Sequence, residues 1–181
     1  MQYNKTITLK DGKDCLLRNG TAADGAEVLA VFNQTHAETD YLLTYPDESS
    51  MTEAQESTYL AEAAASPNAI EICAVMDGKI VGTAGFSAVG SAEKLRYRAE
   101  FGIAILKEAW GLGIGRALTE ACIECAKQAG YAQLELDVVA ENASAIALYK
   151  KCGFAEYGRN PRGFCSRTAG WQELVLMRLE L

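Results

Sequence analysis

The sequence predicts a single α/β (α+β) domain over residues 1–181, in which helices flank one mixed β-sheet. Turn and capping signals divide the chain into short segments in the order ββααβββαβαββ. The hydrophobic share of 49% and the charged share of 23% are typical of a globular domain with its own core. No linker, repeat or low-complexity stretch marks a second domain.

The first half of the chain is predicted to form a hairpin, two helices and a second hairpin. Asp-Gly pairs favour both hairpins, because tight turns need positive φ angles. Threonine caps favour both helix starts. These segments are the hairpin 5–18 around Asp11-Gly12, the helix 22–37 behind Thr21 and Asp24, the helix from Thr52 to Ser66-Pro67, and the apolar hairpin 70–89 around Asp77-Gly78.

The second half alternates strands with helices and ends in two strands. Alternating leucine and valine predicts a strand at QLELDVV, and Gly153 is a natural helix terminator. A loop rich in glycine and arginine is predicted between the last two strands. The predicted segments are the strand 95–105, the helix 113–129, the strand 133–139, the helix 143–152, the strand Phe154–Arg159 and the strand LVLMRLEL.

Charge and cysteine content exclude several classes of protein. The net charge of −7 disfavours non-specific nucleic-acid binding, which needs a basic surface. Cys122 and Cys125 form the only close cysteine pair, and the only histidine is His36, so the pair is interpreted as core packing and no metal site is predicted. No apolar run is long enough for a membrane anchor or signal peptide. A cytoplasmic protein with reduced thiols is expected.

The most informative segment is FGIAILKEAWGLGIGRAL, in which an apolar strand runs into Gly111, Gly113 and Gly115 at the start of an amphipathic helix. Glycine lets the backbone turn sharply and approach a ligand closely. The first N–H groups of a helix have no internal partner, and the helix dipole is positive there. The segment therefore predicts a site for phosphate groups, with a plain tight turn as the alternative.

Two common nucleotide motifs do not fit this segment. A P-loop needs Lys-Ser or Lys-Thr after its glycines, and neither follows here. The dinucleotide fingerprint read from Gly111 requires a glycine where the chain has Arg116.

EAWGLGIGRAL resembles the pyrophosphate loop of the GNAT N-acetyltransferase family, whose pattern is Arg/Gln-x-x-Gly-x-Gly/Ala. Gly113 and Gly115 match the small positions, and Trp110 departs from the pattern. The resemblance covers roughly residues 14–181 and is strongest over 70–157. It implies a centrally splayed sheet and acetyl-CoA as co-substrate. The implied cofactor-binding residues are Ile103, Ile105, Gly111, Gly113, Ile114, Gly115, Arg116 and Asn142, with Lys107 adding positive charge.

ENASAIALYKKCGF resembles the family stretch N-x-x-A-x-x-x-Y-x-x-x-G-F. Asn142 and Gly153 are also explained by helix capping alone. The resemblance implies that Tyr149 protonates the departing thiolate, which suits a phenol of pKa about 10 against a thiol near 8.5. Packing in the core is the alternative role for its ring.

The acceptor amine must lose a proton before it attacks the thioester, because an alkyl ammonium has a pKa of about 10.4. Resemblance makes Glu100 the first candidate for the base, with a structural role as the alternative. Glu38, Asp40 and Glu48 are further candidates. The loop TDYLLTYPDE is expected either to receive a cationic amine or to be a solvated loop.

Two functions remain open at this stage. The first is direct transfer of acetyl from acetyl-CoA to an amine of a small molecule or a protein N-terminus, without a metal. The second is a non-catalytic acyl-CoA sensor or interaction module on the same fold. The expected partner is an amine acceptor of unspecified identity, with no nucleic acid and no membrane. The resemblance also allows a homodimer, for which the sequence carries no interface signal.

Overall fold

The computed structural model describes residues 1–181 and confirms the predicted order of strands and helices. Eight strands form one mixed sheet in the order β1-β2-β3-β4-β5-β6-β8-β7. The strands are β1 Asn4–Thr8, β2 Asp14–Asn19, β3 Ile70–Met76, β4 Lys79–Ala88, β5 Arg98–Ile105, β6 Gln133–Val139, β7 Ala155–Ser166 and β8 Gly170–Glu180. The helices are α1 Gly25–Glu38, α2 Glu53–Ala65, α3 Ile114–Gln128 and α4 Ala143–Lys151.

Turn and cap chemistry positions these elements as the sequence predicts. Gly12, Asp77 and Gly78 all have positive φ angles in the two hairpin turns. The backbone N–H of Thr21 donates to Asp24 at 2.8 Å. The backbone N–H of Gln55 donates to the Thr52 hydroxyl at 3.3 Å. Both caps satisfy backbone groups that a helix start leaves free.

Strand β7 is longer than the sequence predicts. The predicted strand Phe154–Arg159 continues to Ser166, and the residues predicted to be a loop extend the ladder with β8 through two register shifts. Pro161 lies in one of these irregular stretches. A proline is tolerated there because β7 is the edge strand of the sheet and needs no second ladder. The strand predicted at 95–105 begins only at Arg98, after a short 3₁₀ turn over Glu93–Leu95.

The buried core lies between the sheet and the helices, with α3 contributing most of its helical residues and α1 and α2 packing on the sheet as well. Leu118, Ile72 and Leu134 are fully buried in it. Cys122 and Cys125 belong to the same apolar cluster, which confirms that they pack in the core. All six cysteines are free thiols. No group of three or more metal-ligating side chains is present. No helix has the length and apolar character that crossing a bilayer requires.

Candidate active site

The sheet opens between β5 and β6, its only parallel neighbours. Their pairing covers Arg98↔Gln133, Ala99↔Leu134 and Glu100↔Glu135 and then stops. Beyond that point β5 stays paired only with β4. The predicted splay is therefore present, and it begins after Glu100.

Backbone alternation sets which groups of β5 face this opening. The N–H of Leu106 donates to the Val81 carbonyl at 2.9 Å, so the even-numbered residues at this end of β5 point their backbone groups at β4. Because N–H directions alternate along a strand, those of Ile103 and Ile105 point at the gap. Both residues are partly buried. They offer a free strand edge to an extended ligand.

An ion pair closes the sheet just before the gap. Arg98 Nη2 donates to Glu135 Oε2 at 2.7 Å, and Arg98 Nε donates to Glu135 Oε1 at 2.5 Å. This fork-to-fork contact joins β5 to β6 and holds the pKa of Glu135 below its usual value. The two strands are thus pinned together next to the point where they separate.

The glycine-rich turn presents unpaired backbone donors at the start of α3. Gly113 is the N-cap residue with φ +101°, and Gly111 has φ +80°. The first bond of the helix runs from the Ala117 N–H to the Gly113 carbonyl at 3.2 Å. The N–H groups of Ile114, Gly115 and Arg116 therefore have no partner within the helix. Such donors at the positive end of a helix suit a diphosphate.

Close packing joins this turn to the gap. A Cβ built on Gly115 would lie 3.3 Å from Leu148 of α4 and 3.5 Å from Ile105 of β5. Ile114 is fully buried and anchors the turn, so its backbone rather than its side chain faces a ligand. The structure brings the cofactor-binding residues predicted at Ile105 and at 111–116 to one place.

Three basic residues lie in the turn or beside it. Arg116 is held by Glu120 at 2.7 Å, which directs its charge along the helix surface. Lys107 has its backbone N–H bound to Glu38 at 2.7 Å. Lys10, which sequence reasoning missed, donates its backbone N–H to the Leu112 carbonyl at 3.1 Å, and its side chain lies 3.9 Å from the Cβ position of Gly113. Its place near the turn depends on sheet geometry that the local sequence does not specify.

Trp110 fixes the other end of the turn. Its indole N–H donates to the Ile105 carbonyl at 2.7 Å, although the indole is half exposed. The departure from the family pattern at this position thus has a structural role: the side chain caps the last backbone group of β5.

Tyr149 approaches the gap from the face covered by α3 and α4. Its ring is buried, with its centroid 6.2 Å from that of Phe101 in an edge-on contact and 5.9 Å from that of Phe154 in a tilted one. The hydroxyl has no hydrogen bond within the chain, yet no fully buried polar side-chain atom lacks a partner, so the oxygen keeps some contact with solvent. Burial raises the pKa of Tyr149 to about 12. Its ring thus packs in the core, and its hydroxyl is free to donate a hydrogen bond.

Glu100 lies on the opposite face of β5. Side chains alternate along a strand, so Glu100 and Phe101 point to opposite faces of the sheet. Glu100 is exposed and has no ion-pair partner. We call this side of β3–β5 the open face, defined by Glu71, Thr83, Gly85, Glu100 and Gly102. Tyr149 and Glu100 thus flank the gap from its two sides.

The loop after α1 is tied to the turn between β7 and β8. Tyr45 donates to Asp40 at 3.1 Å, and the backbone N–H of Arg167 donates to the Tyr45 hydroxyl at 2.8 Å. Asp40 also accepts from Ser166 at 2.5 Å, and Arg167 binds Asp47 at 2.8 Å. These contacts hold the loop against the turn between β7 and β8, although Leu43 and Asp47 stay exposed to solvent.

Each of the alternative bases predicted near this loop accepts a hydrogen bond from within the chain. Glu38 accepts the Lys107 N–H at 2.7 Å, and Glu48 accepts the Tyr45 N–H at 2.7 Å. Hydrogen bonds from Ser166 and Thr168 hold the pKa of Asp40 below its usual value. Asn142 caps α4 by accepting the Ala145 N–H at 3.2 Å, as its capping interpretation predicts.

Comparison with known proteins identifies the family. Residues 35–154 match the profile of the Acetyltransferase (GNAT) family. The chain belongs to this family. It is 38% identical over 81 residues to the [Ribosomal protein bS18]-alanine N-acetyltransferase of Escherichia coli strain K12, a match that covers 45% of this chain and 54% of that protein. The chain thus spans about half the length of this curated relative.

Two solved structures share the fold. An acetyltransferase of the GNAT family from Streptococcus pneumoniae superposes with a TM-score of 0.88 at 30% identity, covering 92% of this chain and 99% of the other. The yncA protein of Salmonella typhimurium, a putative acetyltransferase solved with its cofactor acetyl-CoA, superposes with a TM-score of 0.80 at 22% identity, covering 91% and 92%. The second likeness supports the fold alone.

Proposed function

We propose that this protein is an acetyl-CoA-dependent N-acetyltransferase that passes the acetyl group directly to an amine in a ternary complex. One observation carries the proposal: the free donors of the glycine-rich turn and the free edge of β5 meet at Gly115 and Ile105. A ligand with a diphosphate and an extended amide-containing arm, the two parts of coenzyme A, matches this pair of features. Family membership supports the same conclusion.

The residues of the turn would hold the diphosphate. The N–H groups of Ile114, Gly115 and Arg116 donate to it, while Gly111 and Gly113 give the backbone the positive φ angles that aim these donors. Lys10 and Lys107 add charge to an otherwise acidic chain. Ile103 and Ile105 pair with the amides of the arm, and Asn142 lines its outer end where it caps α4. The bound acetyl thioester supplies the electrophilic carbonyl.

Tyr149 acts on the leaving sulfur. With a pKa of about 12 it keeps its proton throughout the physiological range. Complete transfer to a thiolate of pKa about 8.5 is uphill by about 5 kcal/mol, so Tyr149 stabilises the developing thiolate mainly by donating a hydrogen bond. The proton that finally rests on sulfur then derives from the attacking amine.

Glu100 acts on the acceptor from the open face. It is the exposed carboxylate on β5 that has no cation partner, and it lies one residue from the buried Phe101 that contacts Tyr149. A carboxylate there attracts an ammonium and takes its proton directly or through water.

The proposed acceptor is an amine. The proposed location is the cytoplasm, where thiols stay reduced, because all six cysteines of the chain are free. The E. coli relative modifies the alanine of a ribosomal protein. A protein N-terminus and a small-molecule amine are therefore both within the proposal. A homodimer is a further proposal, which sedimentation at several protein concentrations would test.

Release of free thiol from acetyl-CoA across a panel of amines tests the proposed activity. We expect thiol release that depends on the amine, with the acetylated amine found by mass spectrometry. The acyl-CoA sensor is the alternative function on this fold. Tight binding of CoA with no thiol release for any amine would favour the sensor, whereas no binding of CoA would contradict both functions.

A further inference from the structure

Most carboxylates around the open face already have a partner. Five of them accept hydrogen bonds from backbone N–H groups, hydroxyls or arginines, namely Glu38, Asp40, Asp47, Glu48 and Glu135. Glu100 on β5 and Glu71 on β3 have no lysine or arginine partner among the ion pairs of the chain. Glu100 is exposed and solvated, but Glu71 is partly buried. Glu71 therefore has a desolvated carboxylate without a counter-ion.

The position of Glu71 is specific. It pairs directly with Gly85 on β4, and its carboxylate fills the space where a Cβ on Gly85 would stand. It therefore leans across β4 toward β5. Its hydrogen bond comes from Tyr59 of α2, which donates to Glu71 Oε2 at 3.4 Å, and the nearby Thr83 hydroxyl favours the ionised carboxylate.

Open space lies beside this carboxylate. Gly102 of β5 pairs with Gly85, and a Cβ built on Gly102 would meet no atom within 4 Å. Gly102 thus leaves a shallow channel over β5, with the Glu71 carboxylate over Gly85 at one end and the gap of the sheet at the other. Glu100 borders the channel two residues away along β5.

Burial without a cation raises the pKa of Glu71 to about 7, with a further contribution from the nearby Glu56. A buried charge normally has a counter-ion, because desolvation is costly. The nearest arginine in the sheet is Arg18 on β2, which is already bound to Asp24 at 2.8 Å. A bound cation would therefore pair with the ionised Glu71 carboxylate, which no cation of the chain neutralises.

Glu71 is too far from the gap to touch the reacting nitrogen. Neighbouring strands lie about 4.8 Å apart, so its carboxylate over β4 stands about 8 Å from the middle of the gap beyond β5. We propose that Glu71 binds a second cationic group of the acceptor in the channel over Gly102, which selects amines with a further positive charge, such as aliphatic diamines. This inference rests on the proposed acetyltransferase activity and concerns substrate choice alone.

The test compares putrescine with n-butylamine, which has the same chain length but a single amine. For the wild type we expect a lower KM for putrescine. Glu71→Gln should raise the KM for putrescine about tenfold or more, as expected for losing a hydrogen bond to a charged group, and leave that for n-butylamine unchanged. Glu62→Gln, on the exposed surface of α2, removes the same charge elsewhere and should change neither value.

The wild-type pH profile provides a second measurement that needs no variant. The KM for putrescine should fall as pH rises through about 7, because Glu71 ionises there. The KM for n-butylamine should lack this step. Among the neighbouring charged groups, Glu100 borders the channel and faces both amines alike. Glu56 and Tyr59 face Glu71 from α2, and Arg18 is held by Asp24.

The outcomes separate the two proposals. Acetylation of both amines, with equal effects of Glu71→Gln on each or no effect on either, would overturn the inference and leave the acetyltransferase intact. Failure of the wild type to acetylate either amine or any member of a wider panel would overturn both.

Discussion

The indole N–H of Trp110 donates a 2.7 Å hydrogen bond to the carbonyl of Ile105, the last residue of β5. This bond links the glycine-rich turn to the strand edge that faces the gap, because Trp110 precedes Gly111 directly. It therefore couples the two halves of the proposed cofactor site.

Replacing Trp110 with phenylalanine keeps the ring and removes the donor. The freed carbonyl is accessible to water, so the free energy of unfolding should fall by only about 0.5–1 kcal/mol relative to the wild type. The Kd for acetyl-CoA should rise, as calorimetry would measure. Trp171→Phe, at a similarly exposed position on β8, is the matched control and should bind acetyl-CoA normally. Equal Kd values for Trp110→Phe and the wild type would show that the bond has no role in binding.

Gly113→Ala tests the backbone of the turn. A residue with a Cβ is strained at φ +101°, so stability should fall by about 1 kcal/mol. Gly12 has φ +86° in the first hairpin and no atom within 4 Å of its Cβ position, which makes Gly12→Ala a control for strain alone. We expect both variants to lose stability in urea unfolding and only Gly113→Ala to lose affinity for CoA. Normal CoA affinity in Gly113→Ala would argue against the backbone site.

Tyr149→Phe separates catalysis from packing. The Tyr149 hydroxyl makes no bond within the chain, so its removal should leave the free energy of unfolding nearly unchanged while kcat falls. Tyr131→Phe is the converse case, because the Tyr131 hydroxyl donates to the Asn68 carbonyl at 2.8 Å. That variant should lose about 1 kcal/mol of stability and keep its kcat. A wild-type kcat in Tyr149→Phe would leave its ring with a packing role only.

Gly102→Val fills the channel on the open face. The added atoms meet nothing within 4 Å of the Cβ position, and valine favours strands, so the fold should be retained or stabilised. Steady-state kinetics should show a higher KM for the acceptor with an unchanged Kd for acetyl-CoA. If both constants stayed at wild-type values, the acceptor would have to approach the thioester by another route.

Asp24 is expected to make stability depend on pH. Arg18 and Thr21 lower its pKa from 3.8 to about 2 in the folded protein. A lowered pKa stabilises the folded state above the unfolded value, and this contribution disappears as pH falls from about 4 to about 2. Asp24→Asn should cost about 2 kcal/mol at pH 7 and much less at pH 2, by urea unfolding. Asp77→Asn is the control, because it breaks an exposed ion pair and should change stability little. A loss of stability in Asp24→Asn that does not depend on pH would contradict the lowered pKa of Asp24.

Local signals were sufficient for the order of the elements. Asp77-Gly78, Thr52 and Gly153 each mark a turn or a helix end through backbone chemistry that operates within a few residues. The glycine-rich turn was found for the same reason, since Gly113 both starts α3 and exposes its donors. Family resemblance added the splay of the sheet, which no local pattern specifies.

Long-range contacts account for what the sequence did not reveal. Pro161 and Gly163 read as loop residues, yet they lie in an edge strand whose partner is fixed by the whole sheet. Arg167 reaches Tyr45 across 122 positions, so the ordering of the loop after α1 was not predictable. From the sequence, Glu71 reads only as part of an apolar hairpin. A single charged residue in that strand, facing a glycine of its partner, was the available signal.

A crystal structure with bound acetyl-CoA tests the central claim most directly. We expect diphosphate oxygens within about 3.2 Å of the backbone nitrogens of the turn at 111–116, with the arm lying between β5 and β6 beside Ile103 and Ile105. A diphosphate bound at any other surface, with the turn contacting only solvent, would contradict the account.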